Sequence, residues 1–313
     1  MPRYLVTGAA GFIGRSLAAA LLARGESVRG IDNFSTGKRH NLLGLEAMEF
    51  LEGDLADPSV AARACSDVEI VFHQAALPSV PRSVADPLST NAACVDATLQ
   101  LLVAARAAGV RRVVYAASSS AYGDTPTLPK HEGMTPNPIS PYAVAKLAGE
   151  YYMRSFARVY GLETVCLRYF NVFGPWQDPT SQYSGVLAVF CRRMLVGQTP
   201  TIHGDGEQSR DFTFIQNTVE GNLLAAHADA AAVSGQVMNL ATGHRITLNQ
   251  VVEILRDLTG YEGPVHHAEP RAGDIRHSLA DISLAHRLLG YQPAINFREG
   301  LRRTVEWYKT LAD

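Results

Sequence analysis

The sequence predicts an α/β fold built on a doubly wound parallel sheet, with a smaller α/β domain after it. In the first half of the chain, short apolar runs alternate with stretches rich in alanine and leucine, the order expected of strands and crossover helices. A glycine-rich turn directly follows the first apolar run, as at the first turn of dinucleotide-binding sheets. The 313 residues, 47% apolar and 19% charged, are enough to bury a large core.

Five strands are predicted in the first half, each a short apolar run that ends at a turn or ahead of a helical stretch. The predicted strands are Tyr4–Thr7, Ser27–Asp32, Met48–Glu52, Ile70–Phe72 and Arg112–Ala117. The helical stretches between them include Ser16–Arg24 and Asn91–Ala108. Strands that alternate with helices form a parallel sheet, and its crossovers are expected to be right-handed.

The alternation breaks near residue 172, where Gly, Pro and polar residues cluster from Gly174 to Gly185 and shorter pieces follow. We therefore predict a dinucleotide-binding domain over residues 1–171 and a smaller substrate domain over residues 172–313. This boundary leaves room for segments of the second part to return to the first.

Charge and cysteine usage exclude several classes of partner. The formal net charge is −2 and no run of five basic residues occurs, so nucleic acid is not an expected partner. No continuous apolar run reaches the length of a membrane helix, and the N-terminus is a strand leading into glycines rather than a signal peptide. The four cysteines are far apart, without a CxxC pair. We therefore expect a cytoplasmic protein with reduced thiols, no metal site and no membrane contact.

A dinucleotide site is predicted at the turn Thr7–Gly14, where Gly8, Gly11 and Gly14 follow the first strand and open the first helix. Glycines there let backbone N–H groups approach a pyrophosphate, and the helix N-terminus adds a favourable partial charge. Three glycines alone also suit an ordinary tight turn. Asp32 ends the second strand, where a carboxylate accepts hydrogen bonds from ribose hydroxyls and repels a 2′-phosphate. NAD is therefore expected rather than NADP.

Further residues bear on this site. Three basic residues oppose the preference for NAD, because a nearby cation tolerates the phosphate of NADP. They are Arg15, Lys38 and Arg39. Asp54 and Leu55 follow the third strand, and either border the adenine or form an ordinary turn. Ala75 follows the fourth strand, where a small residue lets the backbone lie against the cofactor, and His73 is expected to be a structural histidine.

The pair Tyr142 and Lys146 is the sharpest chemical signal. Ser140 suits a helix N-cap and Pro141 the first helical position, so Tyr142 and Lys146 lie one turn apart on one helical face. An ammonium beside a phenol is expected to lower the phenol pKa, as a nicotinamide cation would, and this yields a base for neutral pH. The alternative is an amphipathic helix with a surface lysine.

A serine-rich turn supports the catalytic interpretation. Ser118 comes directly off the fifth predicted strand, and ligands of open α/β sheets bind at the carboxyl ends of strands. A serine there can bind the reacting hydroxyl and pass its proton to Tyr142. An ordinary turn is the alternative.

In combination, these motifs resemble the extended short-chain dehydrogenase/reductases of the NAD-dependent epimerase/dehydratase family. The resemblance spans nearly the whole chain in the family's order. The matching segments are Thr7–Gly14, Asp32-Asn33, Asp54-Leu55, His73–Ala76, Ser118–Gly123, Tyr142 with Lys146, Leu167–Gly174, Gly204–Gly206, Arg210–Phe212, Arg271 with Asp274, and Ala280-Asp281. The resemblance implies a Rossmann-type fold, NAD as cofactor and a UDP-sugar as substrate.

The resemblance also implies roles for single residues. Ser118, Tyr142 and Lys146 form the implied catalytic set, with Ser119 as the alternative serine. The implied cofactor contacts also include Phe12, Ile13 and Asn33 of the matching segments. The implied UDP contacts are Asn171, Arg210, Arg271 and Asp274, where arginine suits phosphate oxygens through paired hydrogen bonds.

Within the family the sequence is most similar to UDP-hexose 4-epimerases, especially the branch acting on UDP-N-acetylglucosamine and UDP-N-acetylgalactosamine. Galactose-restricted enzymes carry a tyrosine at the place of Ser278, which is implied to leave space for an N-acetyl group. Galactose-type enzymes often carry a lysine at the place of Pro78, so one cationic contact with the cofactor is lost here. The N-acetylhexosamine branch lacks that lysine as well.

Other functions stay open at this stage. UDP-glucose/UDP-galactose and UDP-glucuronate 4-epimerases are the nearest alternatives. A 4,6-dehydratase or decarboxylase is disfavoured because Ser119-Ser120 stands where dehydratases carry Asp-Glu. A non-catalytic NAD-sensing module would not need Tyr142 and Lys146. Helices Asn91–Ala108 and Tyr142–Tyr160 carry apolar residues beyond one stripe, and the resemblance implies that they pair across a two-fold axis in a homodimer.

Overall fold

The computed structural model describes residues 3–179, 185–270 and 275–311. Its strands are β1 (Tyr4–Thr7), β2 (Val28–Asp32), β3 (Glu49–Glu52), β4 (Ile70–His73), β5 (Arg112–Ser118), β6 (Glu163–Tyr169), β7 (Val172–Phe173), β8 (Thr201–His203), β9 (Ser209–Arg210), β10 (Thr213–Phe214), β11 (Gln236–Leu240), β12 (Ile246–Thr247) and β13 (His266–Ala268). Its helices are α1 (Phe12–Ala23), α2 (Pro58–Cys65), α3 (Val80–Ala85), α4 (Pro87–Asn91), α5 (Ala97–Ala107), α6 (Pro141–Tyr160), α7 (Val186–Leu195), α8 (Ile215–His227), α9 (Ala230–Val233), α10 (Leu248–Thr259), α11 (Ser283–Leu289) and α12 (Phe297–Lys309).

A seven-stranded parallel sheet forms the centre of the protein, in the order β11-β6-β5-β4-β1-β2-β3. The chain starts at an inner strand and builds outwards in both directions, which is the arrangement of a doubly wound sheet. The predicted α/β fold class is therefore confirmed. The edge strand β11 comes from the second half of the chain and pairs with β6.

Helices cover both faces of the sheet, and the strand residues alternate between the two layers as the pleat requires. Tyr4 and Val6 pack in the layer that holds α1 and α8. Leu5 points the other way, into the layer of α2, α5 and α6. The first layer continues into helices α7, α10 and α12 of the second half, so the two halves share one core.

The second half is built from short elements around the end of the sheet. Strand β9 pairs with β12 in antiparallel fashion, while β7 pairs with β10 and β8 pairs with β13 in parallel fashion. Helices α7, α10 and α12 pack against one another behind these strands. Two-residue strands leave most of their backbone in loops, and loops placed by a rigid scaffold commonly carry binding residues.

Residues Pro87–Ala107 form one helical stretch that, by length and composition alone, could cross a membrane. The stretch contains Asp96 and Arg106, so it is not an uninterrupted apolar run. It joins α4 to α5 through a π-helical turn, and α5 packs against α2 and α6. The core helix of a soluble protein passes the same test, so this one stretch is weak evidence for a membrane span.

Candidate active site

The glycine turn is shaped as a cradle between β1 and α1. Gly8 has a φ of +65°, and a Cβ there would lie 2.9 Å from the backbone nitrogen of Ala75. A Cβ on Gly14 would lie 2.1 Å from the carbonyl oxygen of Gly8, so helix and turn touch directly. Gly11 is the N-cap of α1 and provides no side-chain cap for the first turn, which contains Phe12 and Ile13 and no acidic residue. An uncapped helix N-terminus beside such a cradle fits a pyrophosphate.

Asp32 is held against this cradle at the end of β2. Its carboxylate accepts hydrogen bonds from the backbone N–H of Ala10 at 2.9 Å and of Phe34 at 2.8 Å. Burial raises the pKa of Asp32, and these backbone hydrogen bonds partly offset the rise. A Cβ on Gly37 would lie 2.9 Å from both carboxylate oxygens, so glycine is required there. Each oxygen retains acceptor capacity for a ribose hydroxyl.

Arg15, Lys38 and Arg39 are the basic residues that could tolerate the 2′-phosphate of NADP. Two of them contact other side chains in the structure. The Arg15 guanidinium stacks 3.5 Å above the ring of Trp176. Arg39 donates a 2.8 Å hydrogen bond to Glu52 and lies 4.1 Å over the ring of Phe34. Lys38 is exposed. The environment of Asp32 therefore favours NAD, as the sequence predicts.

The nucleotide that the protein carries after purification tests this preference. Because Asp32 repels a 2′-phosphate, we expect the protein, purified without added cofactor and then denatured, to release NAD(H). Liquid chromatography against NAD(H) and NADP(H) standards identifies the nucleotide. Release of mainly NADP(H) would contradict the role of Asp32 and point to Arg15, Lys38 or Arg39 as phosphate ligands.

The ends of β2 and β3 are joined by polar side chains. The Asn33 side-chain amide donates to Asp54 at 3.0 Å, and Asp54 also accepts from the backbone N–H of Ala56 at 2.9 Å. Leu55 is buried beside them. Asp54 thus stabilises its own turn and also orients Asn33, while its contact with the adenine stays a prediction.

His73 is a structural histidine, as expected. Its Nδ1 lies 2.8 Å from Thr7 Oγ1 and its Nε2 lies 2.9 Å from Thr98 Oγ1. Thr98 donates its own proton to the carbonyl of Cys94, so it accepts from His73 Nε2–H, and Nδ1 accepts from Thr7. Thr7 Oγ1 in turn accepts the N–H of Ala75 at 3.0 Å. Burial, with the charge of Lys146 second, lowers the pKa of His73 to about 3, so the ring stays neutral and fixes the turn after β4.

The catalytic side chains meet where β5 ends and α6 begins. The Ser140 side chain caps α6 by accepting from the N–H of Ala143 at 3.2 Å, and Pro141 takes the first helical position. Ser118, at the end of β5, lies close enough to Tyr142 to lower the pKa of the phenol. Lys146 lies one turn further along α6 and is only 3% exposed. The alternative of a surface lysine is therefore wrong.

The pKa of Tyr142 differs from the expectation. Burial raises the pKa of the phenol, with a smaller contribution from Cys94, and the nearby Ser118 hydroxyl lowers it only in part. The expected lowering by Lys146 is wrong for the protein alone. The Lys146 ammonium lies 4.8 Å above the ring of Tyr115, and burial lowers its own pKa. A buried phenol is penalised for carrying charge, and Lys146 does not reverse that penalty in the protein alone.

The structure identifies Ser120 as a further residue of this cluster. Ser118 Oγ accepts from Ser120 Oγ at 2.9 Å and from the Ser120 N–H at 3.2 Å. These two contacts from Ser120 orient the Ser118 hydroxyl at the end of β5. Among the described residues, Ser119 makes no side-chain hydrogen bond. The run of three serines could have indicated that a second serine orients the first. The sequence alone did not show which hydroxyl groups form a hydrogen bond.

Loss of the Ser120 hydroxyl tests this arrangement. We expect Ser120→Ala to lower turnover about two- to tenfold, the usual net worth of one hydrogen bond, because Ser118 becomes free to rotate. Steady-state kinetics on the folded variant measure the change, and Ser119→Ala is the matched control, expected near wild type. Full activity of Ser120→Ala would show that Ser118 needs no orienting partner.

Three of the implied substrate residues gather around β9. Asn171 has a φ of +36° and its amide donates to the carbonyl of Asp211 at 3.1 Å. Arg210 donates to the carbonyls of Ser209 at 3.0 Å and Arg276 at 3.1 Å. Ser278 donates its backbone N–H to the carbonyl of Ser209 at 2.9 Å. The other two implied contacts, Arg271 and Asp274, lie outside the described residues.

Asp211 organises this region and carried no role in the sequence analysis. Its buried carboxylate accepts from the N–H and hydroxyl of Thr242, and from the N–H groups of Gly243 and Ala280. Burial raises the pKa of Asp211, while these donors stabilise the charge. In the described part of the chain, no three His, Cys, Asp or Glu side chains are grouped as a metal site requires.

These features define a dinucleotide-dependent enzyme of the extended short-chain dehydrogenase/reductase type. The profile of the NAD-dependent epimerase/dehydratase family matches residues 4–241, and the chain belongs to this family. It is therefore an enzyme of that family with NAD as its cofactor.

Relatives and solved structures match over nearly the whole chain. A UDP-glucose 4-epimerase of Mycolicibacterium smegmatis is 38% identical over 98% of both chains. A UDP-N-acetylglucosamine 4-epimerase of Methanobrevibacter ruminantium, solved with UDP-N-acetylmuramic acid, is 40% identical with a TM-score of 0.93, covering 99% of both chains. A UDP-glucuronic acid 4-epimerase of Bacillus cereus, solved with UDP-glucuronic acid and NAD, is 31% identical with a TM-score of 0.90, covering 98% of this chain and 99% of that one. These relatives differ in the sugar that they accept.

Proposed function

We propose that this protein is an NAD-dependent 4-epimerase of UDP-hexoses and that it interconverts UDP-N-acetylglucosamine and UDP-N-acetylgalactosamine. The observation that carries the activity is the meeting of the end of β5 with the start of α6, which brings Ser118 close to Tyr142. In a doubly wound sheet this edge receives the ligands. The cradle of Gly8 and Gly14 lies on the same edge, two strands away.

The residues at this edge fit NAD. Gly8 and Gly14 leave room that a Cβ would fill, the first turn of α1 provides backbone N–H groups, and Asp32 provides acceptors for a ribose. When bound, NAD supplies a reversible hydride acceptor for C4 of the sugar and a positive charge that favours ionised Tyr142. We expect Lys146, which is buried one helical turn after Tyr142, to bind the nicotinamide ribose.

The protein's own residues move one proton from the C4 hydroxyl to Tyr142 and later return it. Tyr142 takes the proton of the C4 hydroxyl, directly or through Ser118, as the alcohol becomes a ketone. Ser118 holds the C4 oxygen while its own proton points at Tyr142. After the 4-keto sugar turns in the pocket, Tyr142 returns the proton to the oxygen presented by the opposite face. Because the cycle ends as it began, no external redox partner is needed.

The preference for N-acetylated sugars rests on Ser278. Its backbone is tied to β9, the strand that carries Arg210, so it lies next to the segment that we expect to hold the UDP group. The serine side chain is small and half-buried, and a large ring in its place would occupy additional volume. UDP-glucose/UDP-galactose and UDP-glucuronate are the alternative substrates.

A panel of UDP-sugars tests the proposed function. The purified protein is incubated separately with UDP-N-acetylglucosamine, UDP-glucose, UDP-galactose and UDP-glucuronate, and the products are identified by NMR. We expect C4 epimers without net loss of water or carbon dioxide, and fastest turnover of the N-acetylated sugar. A 4-keto-6-deoxy product or a decarboxylated product would overturn the 4-epimerase assignment. No turnover of any sugar by protein with bound NAD would favour a sensing module.

We also propose that two copies pair through α5 and α6. These helices expose Val103 at 51% and Tyr151 at 53%, and a groove of similar character lies between α4 and the start of α6. Burying such apolar side chains against a second copy is favourable. UDP-sugars and NAD are both cytoplasmic metabolites, so we expect the enzyme in that compartment.

Charge on both helices tests the dimer. We expect a variant with Val103→Glu and Tyr151→Glu to elute as a monomer in size-exclusion chromatography with light scattering, because two carboxylates would be desolvated in the interface. Val196→Glu, a change at a residue 53% exposed after α7, is the matched control and should leave the assembly unchanged. A double variant with the wild-type mass would place the interface elsewhere.

A further inference from the structure

Trp176 joins the second half of the chain to the cofactor-binding helix. It follows β7 and has a φ of +72°, a conformation that a large L-residue rarely adopts. The Arg15 guanidinium stacks 3.5 Å above its ring. The ring of Trp307, on α12, lies 5.5 Å from the Trp176 ring between centroids. Trp176 is thus held between α1 and α12.

Arg15 lies close to the predicted pyrophosphate site. It directly follows Gly14 in α1, and long side chains of helices lean toward the helix N-terminus. One nitrogen of its guanidinium donates to the carbonyl of Leu43 at 3.3 Å, while the buried Nε has no hydrogen-bond partner among the described residues. Burial lowers the pKa of Arg15, although an arginine remains charged.

A partly buried cation whose buried Nε lacks a hydrogen-bond partner among the described residues is unfavourable unless an anion or a ring face compensates it. The face of Trp176 compensates part of this charge. The stack with the Trp176 ring therefore fixes the position of Arg15 at the start of α1.

We propose that the Arg15–Trp176 stack closes the cofactor cleft at its pyrophosphate end and sets the rate at which NAD is released. The stack requires the segment after β7 to lie across the first turns of α1. NAD therefore leaves when the stack opens. Arg15 and Trp176 are positioning residues in this arrangement, since they act on retention of the cofactor rather than on the reacting atoms.

The rate of NAD release tests the proposal. Protein loaded with NAD is freed of unbound cofactor and mixed with ethanol and excess alcohol dehydrogenase, which converts released NAD to NADH and is followed at 340 nm. We expect Trp176→Ala and Arg15→Leu each to release NAD on the order of tenfold faster than wild type, the worth of a desolvated cation–π contact. Trp176→Phe keeps a ring face and should stay within about twofold of wild type.

Arg24→Leu is the matched control, because Arg24 directly follows α1 at its far end and pairs with Glu220 at the surface. It should release NAD at the wild-type rate. Thermal unfolding of each variant separates loss of retention from loss of stability. If Trp176→Ala does not fold, Arg15→Leu against Arg24→Leu still decides the outcome. Wild-type release from both Arg15→Leu and Trp176→Ala, or faster release from Trp176→Ala alone, would overturn the proposal.

Discussion

Replacing Tyr142 with phenylalanine is expected to lower turnover on the order of 10²-fold or more, the usual worth of a positioned acid–base group. The substitution removes the phenol hydroxyl that lies near Ser118 and keeps the ring, so we expect the packing at the start of α6 to survive. NMR detection of epimer formation from the best substrate of the panel measures the loss. Circular dichroism and the amount of bound NAD check that fold and cofactor site are intact.

Two serine variants complete this test. Ser118→Ala should lose activity to a similar extent, because the hydroxyl that meets Tyr142 is gone. Ser119→Ala should stay close to wild type. Near-wild-type turnover of Tyr142→Phe would remove that residue from the mechanism, and a larger loss in Ser119→Ala than in Ser118→Ala would mean that the wrong serine carries the role.

The parallel sheet was largely predictable from sequence because its first five strands are local signals. Strands β1 to β5 lie within one or two residues of the predicted runs. Helix α1 begins at Phe12, four residues before the predicted stretch. Gly14 lies within the helix and also allows the close contact with the turn, so the helix can start ahead of it. Apolar runs bounded by turns reveal such elements without knowledge of their partners.

The pairing of strands β6 and β11 was not predictable from local sequence patterns. The residues of β6 entered the sequence analysis only as part of a family motif, and β11 lies among short elements of the second half. Their pairing, Val165 with Gln236 through Tyr169 with Leu240, joins segments about seventy residues apart. Local periodicity does not encode such a long-range contact, so the return of the second half to the sheet is visible only in three dimensions.

In the active site, the placement of residues on one helix was predictable from sequence, whereas their environment was not. The spacing of Tyr142 and Lys146 placed both on one helical face, as found. Their pKa values depend on burial, which the spacing does not specify. Lys146 is almost fully buried against Tyr115, and the penalty for charge in that environment reversed the expected direction for Tyr142. The orienting role of Ser120 likewise depends on hydroxyl distances within one turn.

Replacing Ser278 with tyrosine is expected to abolish turnover of UDP-N-acetylglucosamine and UDP-N-acetylgalactosamine while sparing UDP-glucose and UDP-galactose. The sugar must turn inside the pocket, so the wall near its 2-substituent limits the size of that substituent. Ser278 is fixed to the carbonyl of Ser209 through its backbone, and a larger side chain at this place cannot withdraw without breaking that hydrogen bond. A tyrosine ring would overlap the acetyl group, and a packed wall yields only with strain.

The measurement is turnover of each of the four sugars by wild type and variant, followed by NMR. Ser283→Tyr is the matched control, since Ser283 is an exposed serine at the start of α11 and a ring there meets solvent. It should leave the ratio of N-acetylated to plain turnover unchanged. Retention of N-acetyl activity in Ser278→Tyr would show that Ser278 faces away from the sugar. A wild type that acts only on UDP-glucose and UDP-galactose would refute the proposed preference while leaving the roles of Ser118 and Tyr142 intact, because acid–base chemistry at C4 does not depend on the 2-substituent.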